Sequence, residues 1–215
     1  MVLFLFNVKR QRGKGLWVIF IYLAYCFINE AINTYFNQFR HITDYFFFNV
    51  FTIIEYTLLT YYIYRLVKNG VFRRIMITLS VSFYLISVLL FLGSKEDTID
   101  SIMCGSEFIL LIIYSIYYLF EQMRKPDHIF FYAIPEFWII VAILLYFSGT
   151  FFLFTYAQSL IKDTSFMLQY AVINSSFYIL KNILWGVAMC VRGGDQSTLP
   201  KIDYSSFDEH LNLNR

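Results

Sequence analysis

The stretch Met167–Val191 reads MLQYAVINSSFYILKNILWGVAMCV, an apolar run with a single lysine, Lys181, near its middle. A hydrocarbon layer about 30 Å thick needs roughly 20 residues of helix at 1.5 Å each, and this run is long enough. A charged side chain at that depth costs roughly 2.5–3.5 kcal/mol on insertion scales. Such a group therefore turns into a helix bundle and takes a partner there. The run predicts a helical membrane protein whose interior is polar around Lys181.

The rest of the chain agrees. Of its 215 residues, 59% are hydrophobic, 21% aromatic and 15% charged, with a mean hydropathy of +0.58. These values lie far from soluble averages. The net charge of +2 is spread over short loops and forms no continuous basic patch, which excludes a nucleic-acid partner. Cys26, Cys104 and Cys190 each sit in an apolar run, are odd in number and form no C-x-x-C pair, so they read as small core residues. His41, His128 and His210 fall outside the apolar runs. That removes the usual intramembrane zinc and haem ligands, and neither a metal nor a cofactor is expected.

Six segments qualify as spans: 16–35, 45–64, 75–93, 102–120, 131–154 and 167–191. A bilayer offers the backbone no hydrogen-bonding partners, so runs this long and continuous are helices. Their short connections predict an all-α membrane protein, six helices in one antiparallel bundle. Lysines and arginines fix the orientation. Thirteen lie before the first span and after the second, fourth and sixth, whereas Arg40, Lys95 and Lys162 lie in the opposite loops. Under the positive-inside rule, both termini are cytoplasmic.

The expected organisation is a short basic segment at 1–15, a transmembrane domain at 16–191 and a mostly disordered cytoplasmic tail at 192–215. In that tail Tyr204, Phe207 and Leu211 have helical spacing that would suit a short docking helix. The leading MVLFLFNV is too short to cross a bilayer and lacks a basic region ahead of it. It reads as an interfacial anchor or as the tail of a further helix, not as a secretory signal.

Inside the spans lie Glu30, Glu55, Glu107, Glu136 and Lys181. On the first span Tyr22, Cys26, Asn29 and Asn33 share a face, with Glu30 beside it; on the second, Thr52, Glu55 and Leu59 do; on the fourth, Cys104, Glu107, Tyr114 and Tyr118 do. Asn174, Tyr178, Lys181 and Trp185 form the most polar stripe, on the sixth. The third span offers Ser80, Tyr84 and Ser87 without a charge and reads as a peripheral or packing helix. Pro135 should open the fifth, with Glu136 as an interfacial cap in its first turn. Lys181 lies about 15 Å from the cytoplasmic end of its span and Glu55 about 13–14 Å from its own, so an ion pair between them is expected.

Two readings fit these residues. One is an internal network that fixes helix register. The other is a polar cavity, open to the outside and lined by Asn29, Glu30, Asn33, Glu55, Glu107, Asn174 and Lys181. Three carboxylates and one ammonium would suit a small cationic or zwitterionic ligand, or a proton relay. The many aromatics near the span ends fit interfacial belts. No G-x-S-x-G, H-E-x-x-H, phosphate-binding loop or dinucleotide-binding glycine run occurs, so no catalytic residue is assigned.

Asn49, Phe51 and Glu55 in the second span, with Pro135, Phe137, Trp138, Tyr146 and Ser148-Gly149 in the fifth, resemble a group of bacterial inner-membrane proteins with about seven helices. Similar modules precede some histidine kinases as membrane sensor regions. The resemblance implies that MVLFLFNV is the remnant of a first family helix. It also implies a signalling role through a separate cytoplasmic partner, because no kinase region follows the last span. The functional expectation is a cytoplasmic-membrane module that senses a small ligand or couples to a partner. A transporter or ion pathway using the buried carboxylates is the alternative, and a membrane-embedded lipid-modifying enzyme a third.

Overall fold

Breaks in the apolar pattern fall at Gly70, Pro135 and Asp163, and each marks a helix start. The structure, a computed structural model, describes residues 15–39, 45–93, 101–124, 134–160 and 163–191. Residues 1–14, the 192–215 tail and the Asn33 side chain lie outside the described residues, and with them the expectations placed there. The described residues form six helices and no strand: α1 Leu16–Phe39, α2 Tyr45–Leu66, α3 Gly70–Gly93, α4 Ser101–Met123, α5 Pro135–Leu160 and α6 Thr164–Cys190.

Local chemistry sets these limits. Residues 67–69 alone separate α2 from α3. There the Asn69 side-chain oxygen accepts from the Val71 and Phe72 amides at 2.9 and 3.4 Å, capping α3. The Glu121 carboxylate of α4 accepts from the Lys68 and Asn69 amides at 3.0–3.2 Å and pins the turn. Pro135 occupies the first turn of α5, where its missing N–H is no loss. Asp163 caps α6 through the Ser165 amide at 2.9 Å, which starts that helix three residues before the apolar run. The α3 helix likewise begins at Gly70, ahead of the expected Ile75, so that Arg73 and Arg74 belong to the helix.

Each helix packs on the next in sequence, and α2 also packs on α4. The most extensive contacts join α5 to α6 and α4 to α5. Successive helices run antiparallel: Trp17 at the start of α1 meets Tyr61 near the end of α2, and Trp185 near the end of α6 donates to the Ile139 carbonyl near the start of α5 at 3.4 Å. Gly149 marks a close approach of α5 and α6, because a Cβ there would lie 2.3 Å from the Phe177 ring.

Among the described residues, three helices are long and apolar enough to cross a membrane: Gly70–Leu90, Ile102–Met123 and Pro135–Tyr156. The apolar part of α1 is shorter, Leu16–Ile32. In α2 and α6 the hydrophobic pattern is interrupted by Glu55 and Lys181, which converge in the site below. Only 17% of the apolar stretch of α3 is buried, against 44% in α4 and in α5, so α3 is more peripheral than those two. Its exposed face carries Val71, Ile75, Ile77, Val81, Leu85, Ile86, Val88 and Leu89.

Candidate functional site: a buried ammonium between two carboxylates

The register of α2 against α4 is read from Thr52, whose hydroxyl lies 3.9 Å from the Cys104 sulfur. The two helices run parallel, so Glu55 and Glu107, each three residues further along, sit at the same level. Glu55 is 6% exposed and Glu107 1%. Two carboxylates thus share one buried layer.

Lys181 enters that layer from α6 and is 3% exposed. Its ammonium donates to the Tyr22 hydroxyl of α1 at 3.2 Å, and that hydroxyl donates to Glu55 Oε1. The expected meeting of Lys181 and Glu55 is therefore bridged by Tyr22 rather than made by direct contact. A phenol can do this because its oxygen accepts while its O–H donates. Glu107 interacts electrostatically with both Lys181 and Glu55.

The walls are aromatic. The Lys181 nitrogen lies 3.9 Å from the ring centroid of Tyr146, 4.9 Å from that of Tyr178, and 5.5 Å from those of Tyr22 and Trp185. Each ring face attracts a cation within about 6 Å, more strongly once water is excluded. Tyr22 and Trp185 also meet edge to face at 5.4 Å, which joins α1 to α6. The Tyr146 hydroxyl donates to Asn174 Oδ1 at 3.3 Å, tying the half-buried Asn174 to the same wall.

One atom in this layer lacks a partner. Glu107 Oε1 is buried and, among the described residues, has no hydrogen-bond donor. Leaving a buried acceptor unsatisfied costs about 1–3 kcal/mol, more for a charged group. Asn49 Oδ1, nearly two turns closer to the start of α2, is likewise buried without a donor among the described residues. No three His, Cys, Asp or Glu side chains among the described residues come together as metal ligands.

Of the seven residues expected in the site, the structure gathers Glu55, Glu107, Lys181 and, through Tyr146, Asn174. Asn29 is half-buried on α1. Glu30 is exposed and lies electrostatically close to Cys26 and Tyr178, at the margin of the layer. The side chain of Asn33 is outside the described residues. Sequence reasoning placed Tyr22 on the right stripe without giving it a role, and it missed Tyr146 as a wall. A usable signal existed: Tyr146 is eleven residues, about 16 Å, from the start of α5, the same depth as Lys181. Comparison with family models, curated proteins and solved structures finds no match, so the chemistry of this layer carries the functional reading.

Proposed function

We propose that this chain is a multi-pass protein of the cytoplasmic membrane, with six spans and both termini inside, that binds a small cationic or zwitterionic molecule beside Glu107. Occupancy of that site would be passed to a separate signalling partner at the cytoplasmic face. Support for six spans comes from length and surface. The helices α1, α2 and α6 have 24, 22 and 27 residues, and α1 and α6 expose rows such as Phe27, Ile28 and Ile32, or Leu168, Val172, Ile179 and Ile183. Apolar rows of this extent call for lipid or a partner. The bilayer is the first partner, and no nucleic acid or cofactor is involved.

The observation that carries the ligand reading is the unpartnered Glu107 oxygen. One ammonium faces two carboxylates, and the bridge through Tyr22 commits it to Glu55. Glu107 is left for a donor from elsewhere, and a ligand ammonium supplies both the charge and the hydrogen bond. The tyrosine and tryptophan rings within 5.5 Å of the Lys181 nitrogen already hold that ammonium, so the ligand's cation is matched to the Glu107 carboxyl itself.

The test is a thermal-shift titration of the protein in neutral detergent against primary amines, quaternary ammonium compounds, betaines and amino acids. A ligand at 100 times its Kd adds about 2.7 kcal/mol to folding stability. At least one of these classes should stabilise the protein, and Glu107→Gln should lose that stabilisation. If none of the panel stabilises it, or if the stabilisation survives Glu107→Gln, the reading is wrong.

The continuous donor chain from Lys181 through Tyr22 to Glu55 favours proton relay as the second reading. Tyr22→Phe interrupts that chain. In reconstituted vesicles it would abolish proton flux if the relay reading holds, and flux that persists in the variant would exclude it.

A further inference from the structure

The end of the helix array opposite the Asp163 turn collects basic side chains around a rigid turn. Residues 67–69 are clamped by the Glu121 carboxylate on two backbone amides. Asn69 Nδ2 donates to the Tyr117 hydroxyl at 2.7 Å, and Phe72 stacks on Tyr117 with ring centroids 3.4 Å apart. Arg73 donates from Nε to the Tyr64 carbonyl at 3.1 Å and lies over the Tyr64 ring at 4.7 Å. The turn is therefore a fixed platform rather than a loose loop.

On this platform Arg65, Lys68 and Arg74 are exposed. Arg65 is held in place by its own helix, with Nη1 3.4 Å from the Tyr61 hydroxyl and its guanidinium carbon 5.9 Å from the Tyr61 ring. Tyr61 in turn meets Trp17 edge to face at 6.1 Å, and both rings are exposed. Arg124 sits over Phe120 at the same end. Among the described residues the acids at this end are Glu121, which accepts from the Lys68 and Asn69 amides, and Glu136; the bases Arg65, Lys68, Arg73, Arg74 and Arg124 outnumber them.

Exposed tryptophan and tyrosine beside arginine is the arrangement that settles at a membrane–water boundary, aromatic bodies in the glycerol region and cations at the phosphates. Four or more bases immediately beyond membrane helices attract anionic headgroups. We propose that Arg65, Lys68 and Arg74 bind the phosphate of an anionic phospholipid, with Trp17 and Tyr61 anchoring the same lipid at glycerol depth. Arginine suits this role because its fork matches two phosphate oxygens at once.

The proposal rests on the membrane-spanning reading, and the two fail differently. Recovery of the chain in the soluble fraction of cells would sink the spanning reading, whatever the lipid. For the lipid site, purified protein in neutral detergent is supplemented with phosphatidylglycerol, with phosphatidylcholine of the same chains, or with inorganic phosphate, and its Tm is read. Phosphatidylglycerol should raise Tm by about 2–4 °C and the other two should not. The increment should disappear in the triple variant Arg65→Gln/Lys68→Gln/Arg74→Gln and shrink in Arg74→Gln alone, which keeps the assay readable if the triple variant folds poorly. Equal shifts with both lipids, a shift with phosphate alone, or an undiminished phosphatidylglycerol increment in Arg74→Gln would each overturn the proposal.

Discussion

Replacing Gly149 by alanine tests the helix crossing that frames the buried layer. The new Cβ would lie 2.3, 2.3 and 2.6 Å from three Phe177 ring atoms. Carbon atoms in good contact sit about 3.5–4.0 Å apart, so roughly an ångström or more must be found for each pair. The ring cannot clear three contacts by a small tilt; it must change rotamer, or α5 and α6 must separate. Overpacking of this kind typically costs about 1–3 kcal/mol. Because α5 and α6 share one of the most extensive helix contacts in the chain, separation would also draw Tyr146 away from Lys181. The assay is reversible chemical denaturation in detergent, on four proteins: the parent, Gly149→Ala, Phe177→Ala and the double variant. Gly149→Ala should lose about 1–3 kcal/mol in the parent and almost nothing in the Phe177→Ala background, where the obstructing ring is absent. A neutral Gly149→Ala, or the same loss in both backgrounds, would refute the close crossing.

Other outcomes follow from the same geometry. Lys181→Met should still insert but lose about 3–5 kcal/mol, because Glu55 is left buried with its charge uncompensated; adding Glu55→Gln should recover most of that loss in the same denaturation assay. Equal losses in the single and double variants would show that the two residues do not share the Tyr22 bridge. Asn69→Ala removes the cap of α3 and its contact to Tyr117, and should cost about 1 kcal/mol, with amide exchange accelerating at Val71 and Phe72 before the rest of α3. Asp163→Ala should cost a similar 0.5–2 kcal/mol at the start of α6, read as faster exchange of the Ser165 amide, and unchanged exchange there would refute the cap.

How far the sequence reached depends on which force set each feature. Helices were legible because long apolar runs leave the backbone few other ways to satisfy its hydrogen bonds, and each of the six expected segments contains one of the helices, the fifth from Pro135 onward. Their starts were less legible: Asn69 and Asp163 extend α3 and α6 outward through local capping, which apolar counting does not register. In α2 and α6 the residues that break the apolar pattern at mid-helix, Glu55 and Lys181, are the ones that meet, through Tyr22 of α1. The stripe on α6 was legible for the same reason, since a charge in so apolar a run needs a buried partner. The route from Lys181 to Glu55 was not, because depth alone could not tell a direct pair from one joined by the Tyr22 hydroxyl. Tyr146 was hidden in an apolar run, where a phenol reads as core. Glu30 shows the opposite limit: adjacency to a polar stripe does not bring a side chain into it, and a step of one residue turns a helix by about 100°.

The most direct test of the central claim is the stability of Glu107→Met. If the layer is kept for a ligand, the unpartnered carboxyl is a liability in the empty protein, and an apolar side chain of similar size should raise stability by about 1–3 kcal/mol while abolishing ligand-induced stabilisation. If Glu107 instead belongs to a satisfied internal network, the substitution will lower stability, and the account of this layer as a binding site is contradicted.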